Sequence, residues 1–277
     1  MKGLVKRIIS GLLSTAMLAG CAISFTACKS DDTQTTNSSF NYETDMQYMY
    51  YAGGTFAPMT KSDTGYYYVG GHDMIIYVDK ESQKATPLCS KPNCLHTDDK
   101  ACDAYFDLGT DISDFGTFSV PIQYYKGSLY MVIRKEDNEG IIYSYLVKTD
   151  RSGKNKEYIT EKLDFNASKW MIHRGYFYYA TDFSIKRISL DDTKGEPQEV
   201  FTLNENESCE GNVNAFQTLL AYGDYIYFNT MEYDVENNTV GGLIPYVVEL
   251  STMKAIKREY NGNYCYTETF YDEISII

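Results

Sequence analysis

Hydrophobic and polar positions divide this chain into three parts. Residues 8–20 are mostly apolar, residues 29–39 are polar throughout, and from about residue 45 short aromatic runs alternate with polar turns. The runs have period 2. In "SIKRISLD", Ile185, Arg187 and Ser189 share one face while Lys186, Ile188 and Leu190 share the other. Segments rich in Tyr, Ile and Val with that alternation, bounded by Gly, Asp and Lys, predict strands. Almost nothing has helical period with caps.

The strands repeat. Four segments open on a glycine-containing turn and a dense aromatic run: "TGYYYVG" (64–70), "KGSLYMV" (126–132), "RGYFYYA" (174–180) and "YGDYIYF" (222–228). A second strand follows in each ("MIIYVDKESQK", "YSYLVKTDRSGK", "SIKRISLDDTKG", "YVVELSTMK"), and then a third ("ATPLC", "KEYIT", "QEVFTL", "AIKREY"). The opening glycines, Gly65, Gly127, Gly175 and Gly223, lie 62, 48 and 48 residues apart. The longer first interval holds an insertion rich in cysteine. Self-similarity at this period predicts a radial array of small antiparallel sheets, which limits exposed strand edges. The predicted fold is therefore all-β and β-propeller-like, with repeats near 64–89, 126–160, 174–203 and 222–260. With the fragment "DMQYMYYAGG" (45–54) this makes four to five blades at about 45 residues each, an incomplete or open propeller. A closed four- or five-bladed ring is the alternative.

The third repeat, "YYATDFSIKRISLDD", resembles the repeat of YWTD-type β-propellers, with Tyr179 and Ala180 near the place of the missing tryptophan. The chain also resembles a group of exported Gram-positive lipoproteins that carry a domain of unknown function related to those propellers. The likeness is carried by Pro87, Leu88, Cys89, Lys91, Pro92, Cys94, His96, Cys102 and Ala104, directly after the first aromatic hairpin, and it covers nearly all of residues 47–277. It implies a fold and an address; the group has no assigned activity.

The N-terminus agrees with that address. Lys2, Lys6 and Arg7 precede the apolar stretch, and small residues precede a cysteine, as in a bacterial lipoprotein signal. The acylated residue is expected to be Cys28, after "FTA", because the polar tether follows at once; Cys21, after "LAG", is the alternative. The expected division is a signal peptide at 1–27, a flexible tether at 28–46 and the propeller-like domain at 47–277. Acyl chains would hold the domain on the outer face of the cell membrane. The formal charge is −13, and removing residues 1–27 takes away three positive charges and no acidic ones, leaving −16. Such a surface argues against nucleic acid and against electrostatic attraction to anionic lipid.

The insertion, 89–106, reads C-x4-C-x-H-x5-C through Cys89, Cys94, His96 and Cys102. Outside the cell, disulfides are the default, and closing Cys89 to Cys102 would contribute about 3 kcal/mol. Three thiols and an imidazole also match the donors of a closed structural zinc site, although the spacing departs from zinc ribbons. Pro92 and Asn93 favour a turn that brings Cys89 towards Cys94, and Cys94 and His96 would share one side of an extended segment. Metal and disulfide both remain open; either makes the cluster a staple for an insertion expected to bury little. Cys209 and Cys265 are a further candidate disulfide.

The three histidines are His72, His96 and His173. His72 reads as a turn residue, and His173 as a packing histidine or a group at a central channel. Trp170, between repeats, is a candidate exposed platform for a ligand. The 27 tyrosines fit strand packing better than sugar stacking. No nucleophile elbow, P-loop or HExxH stretch occurs. The expectation is a surface binding or scaffold lipoprotein for a protein, peptide or glycan. The alternatives are a propeller hydrolase or lyase with a channel-centred site, or a truncated, non-functional fragment.

Overall fold

The computed structural model describes residues 41, 43–46, 59–97, 100–107, 122–163, 169–203, 216–234, 239–257, 267–270 and 273–276. All lie in the second of two compact units, Ser39–Ile277. The protein is all-β. Four antiparallel meanders follow one another, each of four strands: β1 (Met59–Lys61), β2 (Gly65–Val69), β3 (Ile75–Asp79) and β4 (Ala85–Pro87); then β5 (Ile122–Tyr125), β6 (Ser128–Glu136), β7 (Ile142–Asp150) and β8 (Glu157–Tyr158). The third comprises β9 (Trp170–His173), β10 (Tyr176–Ala180), β11 (Ser184–Ser189) and β12 (Gln198–Thr202). The fourth comprises β13 (Phe216–Tyr222), β14 (Tyr225–Asp234), β15 (Thr239–Glu249) and β16 (Lys254–Lys257). A two-stranded sheet, β17 (Thr267–Phe270) and β18 (Glu273–Ile276), comes last.

The first strands of successive sheets meet, β1 with β5, β5 with β9 and β9 with β13, so each sheet runs outward from a common hub. The described sheets do not close into a ring. Every expected repeat is present, but each has one strand more than its sequence grammar shows: the hub strand ahead of the glycine turn. Burial explains the omission. β9 is buried at all four positions, so "WMIH" has no polar alternation to betray it, whereas β16 at the rim is mostly exposed.

Local chemistry fixes the hairpins. Tyr125 pairs with Ser128 and His173 with Tyr176, leaving Lys126-Gly127 and Arg174-Gly175 as two-residue turns. Both residues of each turn have positive φ, 44° and 79° in one, 46° and 83° in the other. This is the type I′ geometry that matches strand twist and that glycine adopts without Cβ strain. Middle strands are buried on both faces. On β10, Tyr178 enters a core shared with Phe216 and Phe228 of the fourth sheet, while Phe177 and Tyr179 enter one shared with Tyr130 and Leu146 of the second. The alternation expected in "SIKRISLD" is realised: Ile185 joins the first of these cores and Ile188 the second.

One boundary and one burial differ from expectation. The tether expected to end at 46 is already part of the fold by Asn41: Met46 is fully buried, and Thr44 O accepts from Arg174 N–H. The cysteine insertion also buries more than expected, because Leu88, Cys102, Ala104 and Phe106 join a core with Tyr67, Ile75, Ile122 and Met131.

Candidate metal centre

The insertion is built as an extension of the first sheet. Leu88 N–H donates to Ile75 O (2.8 Å), Ile75 N–H to Ala104 O (2.9 Å) and Phe106 N–H to Asp73 O (2.8 Å). Both ends of the cysteine loop are thus tied to β3 and the turn before it. Between them, Asn93 and His96 take left-handed backbone conformations, φ 60° and 52°. The segment is therefore not extended at His96, yet the fold-back still brings its ring onto the thiols.

The donor atoms of Cys89, Cys94, His96 and Cys102 all lie within 4.8 Å of one another. Cys102 Sγ is 3.7 Å from His96 Nδ1. A tetrahedral zinc site has sulfur–sulfur edges of about 3.8 Å and sulfur–nitrogen edges of about 3.6 Å, from Zn–S near 2.3 Å and Zn–N near 2.05 Å. The cluster can hold a metal ion with small contraction. Burial pushes the Cys102 thiol up to about 11. At Cys89 burial is outweighed by the N–H groups of Lys91 and Asp103, which point at its sulfur, and its pKa falls below the usual thiol value. Backbone donors aimed at sulfur favour thiolate.

Two lysines flank the cluster. Lys91 Nζ pairs with the Asp103 carboxylate (2.9 Å) and donates to Ala101 O. Lys156, from the second sheet, donates to Tyr105 O, and its ammonium lies 4.4 Å from the Phe106 ring centre. Sequence reading did not find Lys156: nothing in "SGKNKEY" marks it, because its partner lies 51 residues away.

The other candidates fall elsewhere. His72 lies in the short turn Gly71–Asp73 between β2 and β3. Trp170 is 3 % exposed, packed against Phe177 in the core between the second and third sheets. It lies on hub strand β9, which is why it is not the exposed platform its place between repeats suggested. His173, the last residue of β9, is the satisfied packing histidine. Its Nδ1 accepts from Met46 N–H (2.9 Å) and its Nε2 faces Gly223 O (2.7 Å), which places the proton on Nε2. Burial lowers its pKa. Next to it Arg174 pairs with Asp45 (2.8 Å) and with Asp224. The hub is stitched in the same way elsewhere: Thr60 Oγ1 accepts from Tyr124 N–H, and the Gln123 amide donates to Ile172 O and accepts from Ile172 N–H. Cys21, Cys28, Cys209 and Cys265 lie outside the described residues.

No family profile and no curated protein matches the chain. Among solved structures it is similar to the tricorn protease (TM-score 0.42, 11 % identity, 76 % of this chain and 17 % of that one). It is also similar to dipeptidyl peptidase 4 from Porphyromonas gingivalis (0.38, 9 %, 77 % and 34 %). A third is an oligogalacturonate lyase in complex with manganese (0.42, 11 %, 73 % and 51 %). The chain thus spans about half or less of each of these proteins.

Proposed function

We propose that this chain is a lipid-anchored binding or scaffold module on the outer face of the cell membrane, one of the exported Gram-positive lipoproteins it resembles. Acyl chains on Cys28, or on Cys21, anchor it, and the propeller-like domain presents a surface to a protein, peptide or glycan. A structural zinc ion on Cys89, Cys94, His96 and Cys102 braces the insertion. The observation that carries this reading is how the polar groups are spent. Four protein donors lie close enough together to fill a tetrahedral zinc shell, which would leave no open position for substrate. The buried hub histidine has both ring nitrogens engaged by backbone, which supports architecture over acid–base chemistry.

The test uses the full chain in a Gram-positive host fed an alkyne analogue of palmitate. Label in the membrane fraction, lost in Cys28→Ser and kept in Cys21→Ser, is expected, together with protease accessibility on intact cells. Unlabelled, soluble protein would overturn the anchor. Cross-linking on those cells should trap a discrete partner or glycan. Turnover of cell-wall glycan by the purified protein would replace the binding reading with a hydrolase or lyase. Mass spectrometry under non-denaturing conditions should find about one zinc per chain, absent in Cys94→Ser. A metal-free chain would overturn the zinc, and a disulfide mapped among Cys89, Cys94 and Cys102, two hydrogens lighter than the thiols, would take its place.

A further inference from the structure

Resting on that zinc reading, we propose that the metal site is a clasp between the first and second sheets, with Gly153 and Lys156 of the second sheet as its grip. The β7–β8 turn of the second sheet meets the insertion beside two of the four ligands. Gly153 has φ +79°, and a Cβ there would lie 2.5 Å from Leu88 O and 2.8 Å from Asp103 O. Leu88 precedes Cys89 and Asp103 follows Cys102, so this glycine backbone rests on the carbonyls next to both cysteines. Three residues on, the Lys156 ammonium caps Tyr105 O and covers the Phe106 ring. The same turn also holds the first sheet directly, through Arg151 bonded to Asp63 (2.8 Å) and Thr64 (2.6 Å).

Between the ligands the loop is short of regular pairing. Cys94 N–H reaches Lys91 O only at 3.4 Å, and the Lys91 ammonium on Ala101 O and Asp103 spans the rest, while Tyr105 N–H on Cys102 O (3.2 Å) turns the return segment. Yet its ends and return segment supply Leu88, Cys102, Ala104 and Phe106 to the core where β2, β3, β5, β6 and β7 meet. A metal that fixes the loop therefore fixes the surface the second sheet packs on. Loss of the metal frees both sides of the junction and leaves the third and fourth sheets untouched. Lys91 and Lys156 place positive charge near a zinc complex that carries one net negative charge from three thiolates and an imidazole.

Hydrogen–deuterium exchange on the mature chain, zinc-loaded and then chelated, tests this. Amides of 73–79 and 146–158 should exchange at least tenfold faster after chelation, with 170–202 and 216–230 unchanged. Acceleration confined to 89–103 overturns the clasp while leaving the zinc reading intact. A wild-type chain without zinc overturns both. Gly153→Ala should release zinc to a chelator several-fold faster although it is no ligand. Should that variant not fold, Lys156→Met, which keeps the stem over Phe106 and loses the bond to Tyr105 O, should do the same. Release at the wild-type rate from the folded variant overturns the proposal.

Discussion

Where the third and fourth sheets meet, Phe201, Phe216, Phe228 and Tyr246 form a contiguous aromatic block. Phe228 stacks on Tyr246 at 5.2 Å with the rings 8° apart and lies 4.7 Å from Phe201 and 5.7 Å from Phe216. Where the first and second sheets meet, one stacked tyrosine pair, Tyr67 and Tyr124, lies 6.3 Å apart, and the junction is completed by the cysteine insertion. Both junctions join successive repeats of one kind, and both bury strand faces. The difference lies in what can be removed from outside. Carbon packing at the later junction responds to mutation and temperature; the thiol and imidazole donors at the earlier one also respond to oxidants and, with zinc bound as proposed, to chelators. A repeated fold can therefore carry unequal seams.

The comparison breaks most severely at Phe228, whose side chain is 1 % exposed. Phe228→Ala should lower unfolding free energy by about 4 kcal/mol, in the range for buried aromatic truncation. Denaturant titration should give the same loss with and without zinc, since distant sites add; a loss that depends on zinc would mean the junctions are one unit. Second in size is withdrawal of zinc. Under free zinc at a hundred times its dissociation constant, chelation should cost about 2.7 kcal/mol, and Cys94→Ser should abolish the response.

Gln123→Leu tests the stitched hub between the two seams. It leaves Ile172 N–H and C=O without their side-chain partner, at a cost of about 2 kcal/mol. Equal losses in zinc-loaded and zinc-free protein are expected, read by thermal melting. The smallest effect is that of acid on the later junction. The His173 pKa in the fold is lowered from 6.5, so its contribution is present above that value and lost as pH falls below it, by at most about 1.4 kcal/mol per unit. A second proton would set Nδ1–H against Met46 N–H, beside the Arg174 ion pairs with Asp45 and Asp224. His173→Gln should flatten the stability profile from pH 6.5 to 5, measured in the Cys94→Ser background so that metal release does not intervene.

Legibility followed exposure. The glycine turns, the alternating middle strands and the cysteine spacing can be read because each juxtaposes unlike residues within a few positions. Hub strands cannot, since "IQYY" and "WMIH" are buried at nearly every position and carry no period. Trp170 was misplaced for that reason. The Asn41–Met46 segment reads as tether because its partners, His173 and Arg174, lie some 130 residues away in sequence, and Lys156 is hidden by the same kind of distance. The insertion showed its ligands but not its packing, because Leu88, Ala104 and Phe106 flank the cysteines singly rather than as a run.

The docking of Asn41–Met46 also decides where the molecule yields under tension. A pull along the N-terminal chain arrives first at Thr44 O on Arg174 N–H, at the Asp45 carboxylate on the guanidinium and at Met46 N–H on His173. From there it passes through Gly223 to β13. Several bonds of different kinds share the load at the end of β9, so it enters at the axle rather than at the rim. A force that would peel the short outer strands β4, β8, β12 and β16 one hydrogen bond at a time is turned into one that must uproot an ion pair, a histidine and a buried methionine together.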